Sequence, residues 1–275
     1  MTVATLSNVL RPCLADGTAV AGLVVLGWED AVAFVRAAEA EGRPVILQAG
    51  PGCRAHTPLR VLGAMFRELA ERASVPVVAH LDHGEGLEVC QRAVDCGFTS
   101  VMYDGSALPL EENIARTAEV VAMAHAAGVS VEGELGVVGY AGGKPSGGTD
   151  PAEVGRFVAG TGVDALAVSV GTVHLMQAAG AEVDFARLAA VQAAAPGVPL
   201  VLHGGSGVDA ATRARLVRET AVCKVNIGTE VRMAFGAALR GVLERDREVF
   251  DRIAILRGTM GAVEEAARGA IASLR

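Results

Sequence analysis

Short apolar runs alternate with helical patterns along the whole chain. The runs are nearly continuous in valine, isoleucine, leucine and alanine, which is typical of parallel strands buried on both faces. They predict eight strands, at residues 19–26, 44–48, 76–81, 99–103, 129–135, 164–170, 198–203 and 222–227. Apolar residues at helical spacing predict helices over 29–41, 58–73, 86–96, 111–127, 151–160, 184–194, 208–219, 229–245 and about 259–274.

This alternation predicts an α/β protein built as one (β/α)₈ TIM barrel, with an N-terminal helix and a C-terminal helix. The chain has 275 residues, which fits one large barrel or two ordinary domains. No linker, repeat or low-complexity segment divides it, so we expect residues 1–275 to form a single domain. The one long connection, residues 136–149, is dense in glycine and predicts a mobile lid.

Composition and net charge indicate which partners and which compartment to expect. The formal net charge is −7 and no basic block occurs, which argues against nucleic-acid binding. No run reaches the roughly 18 apolar residues of a membrane-spanning helix, and the N-terminus has no long apolar segment before a cleavage site. The five scattered cysteines favour a reducing compartment. We therefore expect a cytoplasmic protein that binds neither nucleic acid nor a membrane.

Three histidines, His83, His174 and His203, each stand at or just past the end of a predicted strand. The carboxyl ends of barrel strands share one rim, where the active sites of barrel enzymes lie. Three imidazoles around one open Zn²⁺ position are a recurring catalytic arrangement, so the pattern predicts a zinc site. The alternative is that each is a hydrogen-bonded core residue. We interpret His80 that way, and His56 and His125 as surface or supporting residues.

Two glycine-containing segments follow the last two predicted strands, Gly204-Gly205-Ser206-Gly207 and Asn226-Ile227-Gly228-Thr229. In barrels these loops often bind phosphate, because bare backbone N–H groups can approach its oxygens closely. They predict a phosphorylated substrate, and the alternative is that they are tight turns that merely start helices. Asp82, next to His83, either orients the metal ligand or exchanges a proton with the substrate.

The motifs around these residues resemble the class II, zinc-dependent ketose-bisphosphate aldolases, and look most like the tagatose/fructose-bisphosphate branch. They run in order through residues 75–235, whereas the first quarter and the C-terminal tail match more loosely. The motifs are AHLDHGEGL (79–87), SVMYDGSALPLEENI (100–114), VEGELG (131–136), GVDALAVSVGTVH (162–174), VPLVLHGGSGV (198–208) and KVNIGTE (224–230).

The resemblance implies a lyase that reversibly cleaves a phosphorylated ketose, such as fructose- or tagatose-1,6-bisphosphate, to dihydroxyacetone phosphate and an aldehyde. It implies Zn²⁺ ligated by His83, His174 and His203, with Asp82 exchanging the C4 hydroxyl proton. Asp104 and Glu134 would be positions for a displaced or second ion. The phosphate-binding positions would be Gly204, Gly205, Ser206, Asn226, Ile227, Gly228 and Thr229. A monovalent cation near these loops and a homodimer or homotetramer also fit the family.

Several positions depart from the family pattern. Leu175 stands where the family usually has a glycine whose amide contacts phosphate. The long loop has no acid from Gly139 to Lys144, although the family usually carries a proton-transferring glutamate there; Lys144 is then a candidate lid residue. The family's first strand commonly ends in Phe-Asn, whereas the stretch here reads Leu23-Val24-Val25-Leu26-Gly27-Trp28.

These departures leave alternatives open. Another residue could supply the second proton transfer while the substrate stays standard. The protein could instead be a divergent metal-dependent barrel enzyme for another sugar or keto substrate, or a non-catalytic family member. Schiff-base chemistry is a further alternative, and it is restricted to Lys144 and Lys224, the only two lysines.

Overall fold

Eight parallel strands close into a barrel in the computed structural model, which describes residues 2–143 and 146–275. A two-residue strand, β1 (Val3–Ala4), pairs in parallel with Val77 and Val78. The barrel strands are β2 (Val20–Val24), β3 (Val45–Ala49), β4 (Val77–Gly84), β5 (Ser100–Tyr103), β6 (Ser130–Leu135), β7 (Ala165–Val168), β8 (Leu200–Leu202) and β9 (Val222–Ile227). Each pairs with the next along the chain, and β9 pairs with β2, which closes the ring. The (β/α)₈ prediction is therefore confirmed.

Helices follow the strands and form the outer layer. They are α1 (Leu6–Asp16), α2 (Trp28–Glu41), α3 (Pro51–His56), α4 (Leu59–Arg72), α5 (Leu87–Asp95), α6 (Leu110–Ala126), α7 (Pro151–Thr161), α8 (Phe185–Ala194), α9 (Ala210–Glu219), α10 (Thr229–Arg245) and α11 (Arg252–Ala272). The short α3 was not predicted from the sequence. The last helix begins earlier than residue 259, because the Asp251 side chain accepts the N–H of Ala254 and caps it there.

The N-terminal helix α1 covers the end of the barrel where the strands begin. Its buried Leu6, Val9 and Leu10 pack in one apolar cluster with strand side chains that include Ile46 and Met102. A second apolar layer lies between the strands and the outer helices. The polar groups at the carboxyl ends of the strands lie at the opposite end of the barrel from α1, because all the strands are parallel.

No helix in the described part of the chain is both long and apolar enough to cross a bilayer.

Candidate active site

The structure brings His83, His174 and His203 together at the carboxyl end of the barrel. His83 lies near the end of β4, His174 in the segment after β7, and His203 directly after β8. Their ring centroids are 4.8–5.4 Å apart. His203 is fully buried and the other two are partly buried. Three residues far apart in the sequence thus form one cluster, as their strand-end positions predict.

One ring nitrogen of each of these histidines is buried and has no hydrogen-bond partner among the described residues. The atoms are Nε2 of His83, Nε2 of His174 and Nδ1 of His203. Buried polar groups in proteins are normally partnered, so three unpartnered nitrogens in one cluster require an explanation. The three residues offer ligand atoms within 4.8 Å of one another. The donor set therefore fits a Zn²⁺ ion held by three imidazoles with an open coordination position.

The acidic residues beside His83 make this site favourable for positive charge. His83 Nδ1 lies 2.8 Å from Asp104 Oδ2 and 3.8 Å from Glu134 Oε2. Burial alone would lower the pKa of His83, but Asp82, Asp104 and Glu134 outweigh it and raise that pKa to about 10. Burial, reinforced by Asp104, raises the pKa of Glu134 to about 8. His83, Asp104 and Glu134 also form a second group of potential metal ligands.

His174 and His203 are kept neutral. Burial, together with the neighbouring His83, lowers the pKa of His174 to about 4 and that of His203 well below its ordinary value. A neutral imidazole has a free lone pair, which is the form that binds a metal. At these two histidines the electrostatics thus match the chemistry of a metal ligand.

A chain of buried polar side chains lies behind His203. Glu132 Oε1 is 3.2 Å from His203 Nε2, and Glu132 Oε2 is 2.6 Å from Lys224 Nζ. Sequence reasoning missed the roles of Glu132 and Lys224. A signal was present, since Glu132 and Glu134 are two apart on β6 and side chains alternate between the faces of a strand.

Lys224 does not fit Schiff-base chemistry. It is fully buried, its ammonium group is paired with Glu132, and it does not line the cleft. His80 is a hydrogen-bonded core residue, with Nδ1 2.8 Å from Ser100 Oγ. The candidate lid residue Lys144 lies outside the described residues.

A narrow cleft of about 60 Å³ lies beside the histidine cluster and is lined by His174, but not by His83 or His203. Residues that were singled out from the sequence and line it are Asp82, His174, Leu175, Gly204, Ser206, Asn226, Gly228 and Thr229. Among the phosphate-binding positions predicted from the sequence, Gly205 and Ile227 do not line it. The Ile227 side chain lies in the apolar layer outside the strands, because it is on the opposite face of β9 from Asn226.

The two glycine loops are tied to each other. Ser206 Oγ accepts the backbone N–H groups of Gly228 and Glu230, each at 3.2 Å. Behind them, Arg213 donates to the carbonyl oxygen of Gly205 and pairs with Glu230 at 2.6 Å. The loops after β8 and β9 therefore form one braced unit.

Backbone conformation explains the glycine requirement on one side of the cleft. Gly204 has φ +70°, and a Cβ there would lie 2.4 Å from the carbonyl oxygen of Val173. Leu175 has φ +63°, a conformation that costs a residue with a side chain roughly 1–2 kcal/mol. The leucine thus adopts the backbone expected of the family's glycine, with a side chain that is 48% exposed.

Arg54 on α3 braces the strand end that carries Asp82 and His83. Its guanidinium donates to the carbonyl oxygens of Ala49 at 3.0 Å, Asp82 at 2.6 Å and His83 at 3.0 Å. His83 itself has φ +51°, so the chain is strained where the bracing occurs. No sequence pattern pointed to Arg54, because its helix α3 was not predicted.

The long loop contacts the site through Tyr140. Its ring stacks on His174 at 4.9 Å with an interplanar angle of 30°. The backbone N–H of His174 donates to Gly139 O at 2.8 Å, and that of Ala141 donates to His174 O at 2.9 Å. The predicted lid therefore reaches a proposed metal ligand, while its mobility stays a prediction.

Comparison with known proteins identifies the family. The family model described as fructose-bisphosphate aldolase class-II matches residues 4–275. The chain belongs to this family. The fructose-bisphosphate aldolase of Staphylococcus aureus (strain Mu50) is 35% identical, covering 98% of this chain and 96% of the relative. The 6-phospho-5-dehydro-2-deoxy-D-gluconate aldolase of Shouchella clausii is 38% identical, covering 93% of this chain and 90% of the relative.

Solved structures agree with the class-II aldolase assignment. The crystal structure of the YdjI aldolase from Escherichia coli K12 superimposes with a TM-score of 0.86 and 31% identity. The match covers 99% of this chain and 97% of that one. Class-II aldolases are lyases and generally depend on a metal ion, which agrees with the donor set found at the rim of this barrel.

Proposed function

We propose that this class-II aldolase uses zinc to cleave a phosphorylated ketose, such as fructose- or tagatose-1,6-bisphosphate, reversibly to dihydroxyacetone phosphate and an aldehyde. The observation that carries the proposal is the cluster of three unpartnered, buried imidazole nitrogens beside Asp82. The names of the Staphylococcus aureus and Geobacillus stearothermophilus relatives, both fructose-bisphosphate aldolases, support it.

Asp82 is suited to take the proton from the C4 hydroxyl as the carbon–carbon bond breaks. It lines the cleft, and its Oδ1 is buried without a hydrogen-bond partner among the described residues. Burial would raise its pKa, but His83, His203 and Lys224 outweigh burial and lower it, so the group is ionised at neutral pH. A bound zinc ion would polarise the substrate carbonyl and stabilise the negative charge that develops beside it.

The phosphate of the ketone end would lie against the two braced loops. Gly204, Ser206 and Gly228 line the cleft, and Thr229 begins the 17-residue helix α10 there. A helix N-terminus and exposed backbone N–H groups favour an anion. Anchoring this end would fix the reacting carbons relative to Asp82 and the metal. A monovalent cation near these loops belongs to the same proposal.

Zinc content and proton exchange test this function. The purified protein is expected to bind one zinc ion, to exchange the C3 proton of dihydroxyacetone phosphate with solvent, and to cleave at least one ketose bisphosphate. A zinc-loaded protein that exchanges no proton would contradict an aldolase mechanism. A protein that retains no zinc without chelator treatment would favour a non-catalytic role.

A neighbouring pocket favours a second candidate, an aldolase whose aldehyde product is not the standard triose phosphate. The pocket has a volume of about 560 Å³ and shares Val24 and Arg232 with the cleft. Leu26, Trp28 and Phe235 on α10 line one part of it, beside charged residues that include Glu29 and Arg252. The apolar part of the lining favours an aldehyde with an apolar portion.

Aldol synthesis distinguishes the two candidates. Dihydroxyacetone phosphate would be offered with glyceraldehyde 3-phosphate or with branched and aromatic aldehydes. The second candidate requires a higher kcat/KM for the apolar aldehydes, and a Trp28→Ala variant that loses this preference. A wild-type preference for glyceraldehyde 3-phosphate would remove it.

We propose that residues 1–275 form one domain that functions in the cytoplasm as a homodimer or homotetramer. Exposed apolar side chains on and before α11, Phe250 and Ile253, support self-association. Light scattering coupled to size exclusion would test this, and a monomer at micromolar concentration would contradict it.

A further inference from the structure

A continuous hydrogen-bonded chain runs from His203 to the other side of the barrel interior. Lys224 Nζ, already paired with Glu132, also lies 3.1 Å from His80 Nε2, and His80 Nδ1 lies 2.8 Å from Ser100 Oγ. All five side chains, from His203 to Ser100, have no solvent exposure. The chain therefore lies behind the histidine cluster, and none of its five side chains lines the cleft.

The hydrogen-bond directions in this chain follow from its chemistry. An ionised carboxylate only accepts and an ammonium only donates. Glu132 therefore accepts from Lys224 on one oxygen and from His203 Nε2–H on the other. Because neutral imidazole carries one hydrogen, His203 Nδ1 is left as a bare lone pair. That nitrogen is the one without a partner among the described residues.

We propose that Glu132, itself oriented by Lys224 and His80, is a positioning residue that holds His203 in the tautomer whose Nδ1 can bind the metal. The proposal rests on the zinc site proposed above. A carboxylate bonded to the second nitrogen of a ligating histidine fixes its tautomer and ring orientation. Lys224 Nζ lies 2.6 Å from Glu132 Oε2, and this contact holds the carboxylate with its other oxygen toward His203 Nε2.

The first test needs no zinc and is made on the wild-type protein. Long-range ¹H–¹⁵N spectra of the zinc-free protein report which ring nitrogen carries hydrogen, with the His203 signals assigned by their loss in His203→Gln. The proposal requires hydrogen on Nε2 of His203. Hydrogen on Nδ1, or a mixture of both tautomers, would overturn it even if Glu132→Gln and Lys224→Met failed to fold.

The second test changes Glu132 to glutamine. Lys224 must face the amide oxygen, which turns the NH₂ group toward His203 Nε2 and makes that nitrogen an acceptor. Glu132→Gln should therefore move the hydrogen to Nδ1 and weaken zinc binding by about 10–100-fold in chelator competition. Lys224→Met should also weaken zinc binding, because it removes the group that orients Glu132.

Thr117→Val is the matched control. It removes a buried hydrogen bond to Asn113, 3.0 Å long, and Asn113 is connected to the site through the backbone carbonyl oxygen of Glu134 rather than through a histidine. A network that only stabilises the fold would lower the melting temperature of Glu132→Gln and Thr117→Val alike and leave zinc affinity equal in the two. That result would overturn the proposal. A wild-type protein that binds no zinc at all would instead refute the proposed function, while the tautomer spectra would still decide the role of Glu132.

Discussion

Two histidine–aspartate pairs at opposite ends of the barrel have the same 2.8 Å separation but different surroundings. At the end where the strands begin, Asp164 accepts from His125, from Ser7 Oγ and from the backbone N–H of Val131. These bonds join α1, α6 and the start of β6, and both carboxylate oxygens are used. The pair holds three elements together.

At the other end, His83 pairs with Asp104 through Nδ1, while its Nε2 is buried and unpartnered within the described part of the chain. The distance between the two residues is therefore no guide to their role. The two pairs differ in the second ring nitrogen of the histidine. Nε2 of His83 has no partner among the described residues, and the unpartnered ring nitrogens of His174 and His203 lie beside it. Substitutions that break the pair at the carboxyl end should therefore change zinc binding and activity, and substitutions that break the other pair should change stability.

The largest effect is expected from His83→Ala. Loss of one of three zinc ligands should remove the metal, and since metal polarisation contributes several kcal/mol, activity should fall by at least about 10³-fold. The fold should remain, as judged by circular dichroism. His125→Ala is the control at the opposite end, and it should retain zinc and nearly all activity. Equal losses in the two variants would contradict the difference between the two ends.

Asp82→Asn should separate proton transfer from metal binding. An amide cannot accept the C4 hydroxyl proton, so kcat should fall by about 10²–10⁴-fold while zinc content stays at the wild-type value. Zinc analysis and steady-state kinetics on one preparation would check both. Loss of zinc in this variant would assign Asp82 to orienting His83 instead.

The effect of Asp164→Asn should appear in stability rather than activity. Its partners, first among them the Ser7 hydroxyl, hold the pKa of Asp164 below its usual value despite burial. A carboxyl with a depressed folded pKa stabilises above its unfolded pKa, about 3.9, and that contribution is lost as pH falls through the folded value. The variant should therefore be about 1–2 kcal/mol less stable at pH 7, with a smaller difference below about pH 4.

Urea unfolding between pH 7 and pH 3 would measure this. Asp95→Asn, on the exposed face of α5, is the control and should change stability by less than about 0.5 kcal/mol. A stability difference for Asp164→Asn that is constant across this range would show that the charge of Asp164 is not the source of its contribution.

The apolar periodicity predicts the barrel well because every strand is buried on both faces, and parallel pairing then places all strand ends on one rim. This is why His83, His174 and His203 could be singled out by position. Contacts between side chains on strands that are not neighbours could not be predicted from this periodicity. The meeting of Glu132 with Lys224 depends on the stagger of β6 and β9, which no local pattern encodes. Arg54 was missed because α3 has only six residues, too few for a periodic signal.

Leu175 lines the cleft at the carboxyl end of the barrel, and its backbone is strained by a positive φ although its side chain is not buried. Leu175→Gly should relieve the positive φ, with the gain in the folded state partly offset by the greater freedom of glycine in the unfolded chain. It should also expose a backbone N–H beside the phosphate loops, so KM for a phosphorylated substrate should fall a few-fold with kcat nearly constant. Leu175→Ala keeps the Cβ and the strain while removing the bulk. If alanine lowers KM as much as glycine does, the side chain rather than the backbone restricts the phosphate site, and the family's glycine would owe its place to space rather than conformation.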